Sequence, residues 1–337
     1  MTHSIKKLPG SKIELTVELG KEELQDYVAE TEKRLANDAR LDGFRPGKAP
    51  REQIRKQVGE AKIREQALAL AVQSSLLDTV KQEKLEIISQ EEIKIRANTG
   101  DKLVYRVVFN VFPEIQLGPY TGLGVKKNPV RVEAEEIQNA LQDLRRLKTA
   151  GRTAPELNDE FTKGLGRFNS LTELKDSISQ GLALEKEAKE KERVRLAILE
   201  KISAQTKVEP PPALVEERLN ELLRDFDNQL HQQGKELGLY LAQIKKTQDD
   251  LLRDWQAKAE TQVKMNLIAR EVAKRQKLKV SDEEVSREIT TLAEHYTRQG
   301  ELEQLQQADP ETVKLRIKAV LLNEKVFDWL EKNNLTG

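Results

Sequence analysis

Between residues 43 and 50 the chain reads Gly-Phe-Arg-Pro-Gly-Lys-Ala-Pro, and the stretches on either side, Lys21–Leu41 and Arg51–Lys84, carry long helical patterns. Two glycines and two prolines in so short a run continue neither helix, so the chain must turn there. The amino-terminal part is thereby committed to a helical hairpin tipped by these residues. The tip is unusual in chemistry. It carries a large aromatic, Phe44, and two cations, Arg45 and Lys48. From Arg40 to Lys56 six Lys/Arg stand against two acids, Asp42 and Glu52, in a chain that is balanced overall at 57 and 57. Two readings follow. A basic, aromatic-tipped hairpin fits an acidic or phosphate-rich docking surface. Equally, Phe44 can tuck under its own hairpin among ordinary surface cations.

Composition restricts the remainder. At 337 residues the chain accommodates two or three domains. Apolar residues make up 37%, charged residues 34% and aromatics only 4%, a mix that suits long amphipathic helices with much exposed surface. Neutral net charge argues against general nucleic-acid binding. There is no cysteine, so disulfides and thiol chemistry are excluded, and a reducing cytoplasm is permitted. Residues 1–10 show no secretory signal, and no stretch has the ~20 apolar residues of a membrane span. No membrane partner is expected, and the reading is cytoplasmic.

The fold class expected is α+β: an N-terminal antiparallel sheet with an inserted helical hairpin, followed by an elongated all-α domain with helical arms. Lys12–Leu19 alternates Ile13, Leu15, Val17 and Leu19 with polar residues, which marks a half-buried strand. Further strands are expected over Glu86–Ala97 and Leu103–Phe112, joined by an Asn98-Thr99-Gly100-Asp101 turn. Residues 1–112 form this first domain. Residues 113–154 comprise a Pro/Gly-rich extended connector, a short helix over Ala134–Leu147, and a small-residue junction. Residues 155–337 are helical. Ser170 with Glu173 and Ser281 with Glu284 are capping boxes, and Asp309-Pro310 is a cap followed by a first-turn proline. Helices are expected over Leu171–Gln205, Ala213–Glu236 and Asp249–Lys277, with two more after Ser281 and Asp309.

Catalytic chemistry is thinly represented. His3, His231 and His295 are isolated, and no cysteine completes a zinc site. Neither Gly-x-x-x-x-Gly-Lys-Ser/Thr nor Gly-x-Gly-x-x-Gly occurs, so no nucleotide cofactor is expected, and no metal. The acidic pairs Asp249-Asp250 and Glu283-Glu284 fall at helix starts, where the macrodipole accounts for them.

The octet closely resembles the Gly-Phe-Arg-x-Gly-Lys-x-Pro signature of the trigger factor family, ribosome-associated bacterial chaperones. Gly43, Phe44, Arg45, Gly47, Lys48 and Pro50 match, while Pro46 stands where some members carry Lys. The resemblance implies a docking tip of Gly43, Phe44, Arg45, Pro46, Gly47 and Lys48 placed beside the exit tunnel of the large ribosomal subunit. It would contact protein there, and rRNA phosphate nearby. The resemblance further implies unfolded or nascent polypeptides as clients, independence from ATP, and a homodimer off the ribosome. It runs on through the carboxy-terminal helices. Where the family's chain leaves for an FKBP-type prolyl-isomerase domain, this chain reads Lys148 to Pro155 and resumes with Pro-Glu-Leu-Asn-Asp-Glu-Phe at Pro155 to Phe161. The domain itself is missing, by engineered deletion or as a natural short form, so no isomerase activity is expected. Leu222, Phe226 and Leu230 are candidate client contacts, or ordinary interhelical packing. Two other readings stay open: a holdase of the periplasmic helical-arm type with no ribosome contact, and a helical scaffold for one folded partner.

Overall fold

The structure is a computed structural model, and it describes residues 1–38, 51–149, 156–166, 168–299 and 309–336. In chain order the described elements begin with β1 (Thr2–Leu8), β2 (Lys12–Leu19), α1 (Lys21–Asp38), α2 (Arg51–Val58) and α3 (Glu60–Gln82). Next come β3 (Ile87–Gln90), β4 (Lys94–Asn98), β5 (Leu103–Val111), β6 (Val125–Lys126), α4 (Ala134–Thr149), α5 (Asp159–Lys163) and α6 (Leu171–Gln205). The chain continues through α7 (Pro212–Gln232), α8 (Leu237–Gln243), α9 (Gln248–Arg275), α10 (Asp282–Gln299), α11 (Pro310–Asn334) and β7 (Leu335–Thr336). These elements make two compact units. One holds Met1–Glu114 and Val208–Lys264, the other Ile115–Lys207 and Met265–Gly337.

The first unit is built on an antiparallel sheet ordered β1-β2-β5-β3, with β4 also paired to β5. Alternation does what it should. Ile13, Leu15, Val17 and Leu19 of β2 turn inward, as do Leu103, Tyr105, Val107 and Phe109 of β5, all nearly inaccessible. Ala71 and Leu76 of α3 cover them, with Leu68, Val72 and Val80 packed alongside. Full burial of each such large side chain contributes ~1.5–3 kcal/mol, and this face carries the sheet's stability. Tyr105 brings a hydroxyl into this face, where Ser75 of α3 is buried beside it. The Ser75 hydroxyl donates to the Ala71 carbonyl at 2.5 Å, so the Tyr105 hydroxyl donates to Ser75 Oγ at 2.8 Å. Burial pushes the phenol up to about 12.

Three details depart from expectation. β1 is an edge strand paired to β2 along its whole length, from Thr2↔Glu18 to Leu8↔Lys12. Its Lys6 and Lys7 are what an exposed edge wants, and they hide the strand from a search for apolar alternation. The strand expected over Glu86–Ala97 is two, β3 and β4, each paired antiparallel to β5 with an irregular register. Finally, the helix expected over Arg51–Lys84 breaks at Gly59, whose φ of 86° lies in the region open to glycine. The Gly59 N–H closes α2 on the Arg55 carbonyl, and its carbonyl opens α3 by accepting from Ile63.

The second unit has a helical core. Val194, Ile198, Leu199 and Ile202 of α6 meet Met265, Ile268, Ala269, Val272 and Ala273 of α9, and Val326 and Leu330 of α11. The connector, expected as an extended Pro/Gly-rich segment, belongs to this core. Val125 is buried in it, with Leu117, Tyr120 and Leu123 packed against it. Backbone approach is close: a Cβ on Gly118 would fall 2.6 Å from the Gln205 carbonyl oxygen, so only glycine fits. β6 pairs in parallel with β7 at the end of α11. Asn334, 1% exposed, secures this corner. Its Oδ1 accepts from the Leu123 N–H at 3.0 Å, and its Nδ2 donates to the Tyr120 carbonyl at 3.0 Å and the Leu330 carbonyl at 2.9 Å.

The helix starts follow their capping residues. Ser281 Oγ accepts from Glu284 N at 3.3 Å while Glu284 Oε2 accepts from Ser281 N at 2.8 Å. Ser170 Oγ caps Glu173 N at 3.2 Å, and Asp309 Oδ2 caps Thr312 N at 2.8 Å beside Pro310. α10 and α11 pack together around Val280, Val285 and Ile317.

Candidate functional site

The sequence singles out two places, the tip between α1 and α2 and the apolar stripe of α7. Gly43, Phe44, Arg45, Pro46, Gly47 and Lys48 lie outside the described residues, as does the junction 150–155. What is described is the base on which the tip stands. α1 presents Leu24 and Tyr27 to the sheet's core. One turn and two turns beyond Val28 come Glu32 and Ala36, both buried, so a carboxylate occupies an apolar row. Glu32 is 1% exposed. Its Oε1 accepts from Arg55 Nε of α2 at 2.5 Å. That hydrogen bond also raises the guanidinium's pKa above its ordinary value.

This pairing changes the charge the hairpin offers. Of the six cations between Arg40 and Lys56, Arg55 is engaged internally by Glu32. Lys56 is exposed on the same helix. Sequence reasoning missed Glu32, although its i+4 spacing from Val28 on the apolar stripe was the available signal. It also missed the Gly59 break, which a lone glycine inside a helical pattern announces only weakly.

The second place is the arm of α7, α8 and α9. Leu222 is half-buried. Phe226 is half-buried too, and meets the rings of Tyr240 and Trp255 edge-on, with centroids 5.3 and 5.5 Å apart. Such contacts stabilise by ~0.5–1.5 kcal/mol beyond burial. Leu230, at 4% exposure, packs inward. Arg218 Nε donates across to Gln262 Oε1 at 2.8 Å, tying α7 to α9. The short helix α8, not foreseen, places Leu239 outward at 69% exposure, and Ile244 just after it is 39% exposed. This arm therefore has a small aromatic core with aliphatic side chains left in water.

The histidines have ordinary surroundings. His3 Nε2 lies 2.9 Å from Glu83 Oε1, His231 Nδ1 lies 2.9 Å from the Asp227 carbonyl, and His295 neighbours Tyr296 edge-on. Among the described residues no group of three or more His, Cys, Asp or Glu is placed to hold a metal ion. No helix of the described residues is long and apolar enough to cross a membrane.

Comparison with known proteins adds the following. A family model described as "Bacterial trigger factor protein (TF)" matches residues 1–144, and one described as "Bacterial trigger factor protein (TF) C-terminus" matches residues 170–332. The trigger factor of Carboxydothermus hydrogenoformans is 26% identical over 382 residues, covering 86% of this chain and 90% of that protein. That of Caldicellulosiruptor saccharolyticus is 24% identical over 427 residues, covering 99% and 97%. An alignment of 427 positions with a chain of 337 residues leaves at least 90 positions (427 less 337) where the relative has a residue and this chain has none. A solved structure reported as "Promiscuous Substrate Recognition in Folding and Assembly Activities of the Trigger Factor Chaperone" covers 98% of this chain and 99% of its own, with a TM-score of 0.50 and 16% identity. That likeness concerns the fold.

Proposed function

The chain belongs to the trigger factor family of chaperones, and on that premise we propose that it docks at the exit tunnel of the large ribosomal subunit and shields emerging polypeptides without ATP. The observation that carries this reading is the pair of family matches, which span the docking octet and the helical carboxy-terminal region alike. In the proposed complex Phe44 enters an apolar spot on the ribosome, while Arg45 and Lys48 meet carboxylates and nearby RNA phosphate. Charge of this kind sets association rate and salt sensitivity more than affinity. Clients meet dispersed apolar side chains. Leu222, Phe226 and the outward Leu239 are proposed contacts, and Leu230 supports them from beneath. Each small patch contributes ~25 cal/mol per Å² removed from water, so no single contact traps a client.

The proposed activity includes no prolyl isomerisation. Only residues 145–169 separate the two family matches, far too few for a domain of their own. The proposed domain limits remain 1–112, 113–154 and 155–337, and the proposed location is the cytoplasm. The decisive experiment is co-sedimentation with ribosomes of the triple variant Phe44→Ala, Arg45→Ala, Lys48→Ala. Loss of pelleting with an unchanged circular dichroism spectrum is the expected result. Undiminished pelleting would refute the docking role.

A further inference from the structure

We propose that Glu32 and Gly59 are positioning residues that set the direction in which α2 carries the docking tip. The inference rests on the docking reading for its purpose, though not for its geometry. α2 spans only Arg51–Val58, and Gly59, at φ 86° and ψ 137°, separates it from α3. Neither helix dictates the direction of the other across such a residue, because the backbone there is open to glycine alone and has no helical course to continue. Beyond its chain neighbours, no atom lies within 4 Å of where a Gly59 side chain would begin, so nothing pins the joint at Gly59 itself. The described side chain of α2 that reaches a buried group is Arg55, whose Nε lies 2.5 Å from Glu32 Oε1 on α1.

The two partners have different exposure, and that decides what the pair is for. The Glu32 side chain is 2% exposed and that of Arg55 is 49% exposed. A buried carboxylate needs a cation and cannot easily leave one, while the half-exposed guanidinium is free to swing if released. The anchor is thus fixed in α1 and the moving part is α2. The same bond turns the Nε edge of the Arg55 guanidinium toward α1. Glu60 and Arg64, on the far side of the joint, bond each other at 3.4 Å within α3, and across the joint the Glu60 charge acts on Arg55 more weakly than Glu32 does.

The test uses the absence of cysteine, which makes spin labelling specific. Labels are placed at Gln57→Cys on α2 and Gln73→Cys on α3, both exposed. The parent is expected to give one narrow distance distribution. Glu32→Leu replaces the buried carboxylate by an apolar side chain and releases Arg55 to water. It is expected to broaden the distribution. If release leaves the docking pose populated about one time in ten, ribosome affinity falls about tenfold. A second variant guards against misfolding of the first. Gly59→Ala favours a continuous helix, moving the distribution toward the ~24 Å spacing of residues 57 and 73 on one helix. It too weakens pelleting. A distribution that stays narrow in Glu32→Leu overturns the proposal, and so does a broadened one with unchanged affinity. Should the parent itself fail to pellet with ribosomes, the docking reading falls and the positioning role with it, while the distances still report whether the ion pair holds α2.

Discussion

Asn334 offers a sharp test of how the second unit is held, because truncating its amide and replacing it by a nearly isosteric carboxyl should differ. Its amide makes three bonds, one accepted from the Leu123 N–H and two donated to the Tyr120 and Leu330 carbonyls. Asn334→Ala removes all three and leaves part-buried backbone groups of the connector without this partner. With ~1 kcal/mol net for each bond and an added penalty for orphaned groups, the loss is about 2–4 kcal/mol. Asn334→Asp keeps the acceptor for Leu123 but turns an oxygen toward two carbonyl oxygens that sat 3.0 and 2.9 Å from the amide nitrogen. Burial and those dipoles both disfavour the charged form, so the new carboxyl's folded pKa rises above its unfolded ~3.9. A raised folded pKa means a penalty absent below pH ~4 that grows as pH rises past it. At pH 7 the aspartate variant should therefore be less stable than the alanine variant by a further ~1–2 kcal/mol, and the order should reverse near pH 3.5. Urea unfolding is read by Trp329, whose ring lies 5.9 Å from that of Tyr120. The other tryptophan, Trp255, belongs to the first unit and is silenced by Trp255→Phe. An aspartate variant as stable as the alanine variant at pH 7, or one insensitive to pH, would refute the assigned network.

Two further outcomes follow from shifted groups. Glu190 is held down to about 2, first by the Arg193 guanidinium and then by the Asn128 N–H. Its folded pKa lies below the unfolded value, so its contribution is present above pH ~4.5 and is lost as pH falls toward 2. Glu190→Gln should flatten the acid limb of a thermal-midpoint profile between those values, and an unaltered limb would count against the pairing. Tyr105 has the opposite sign. Its phenol stays neutral until about pH 12 while unfolded tyrosine ionises near 10, so the first unit should lose stability between those values. Tyr105→Phe should cost about 1 kcal/mol at neutral pH through the lost Ser75 bond, and should remove that alkaline sensitivity in absorbance-monitored titration.

Much of the fold was legible because it rests on local periodicity. β2 and β5 alternate with period two, and both capping boxes mark helix starts within a residue or two. What escaped depends on partners far away in the chain. β1 has Lys6 and Lys7 where a core strand would have apolar residues, and only its pairing with β2 makes it a strand. The connector's glycines and prolines read as an extended segment, though Leu117, Leu123 and Val125 carried the clue that it is buried. Asn334 and Leu123 are 211 residues apart, and Glu32 and Arg55 are 23 apart, beyond any spacing rule. The candidate site divides in the same way. The octet is a string that a family resemblance can recognise, whereas the Glu32–Arg55 pair and the Gly59 break beneath it emerge only when α1 and α2 are side by side.

The same distinction bears on the short junction. Residues 150–155 run between α4 and α5, and both helices are fastened to α6. Lys186 of α6 pairs with Glu136 of α4 at 2.5 Å and donates to the Arg131 carbonyl at 2.7 Å. Asp159 of α5 accepts from the Leu171 N–H at the start of α6 at 2.7 Å. The two flanks are thus fixed by contacts that do not involve the junction. Connecting two such points costs only ~0.6 kcal/mol for each doubling of loop length. A longer flexible path between these two fixed points would therefore have little leverage on the helical body. Among the described residues the body's buried core is made by α6, α9 and α11, with the connector around Val125 packed into it.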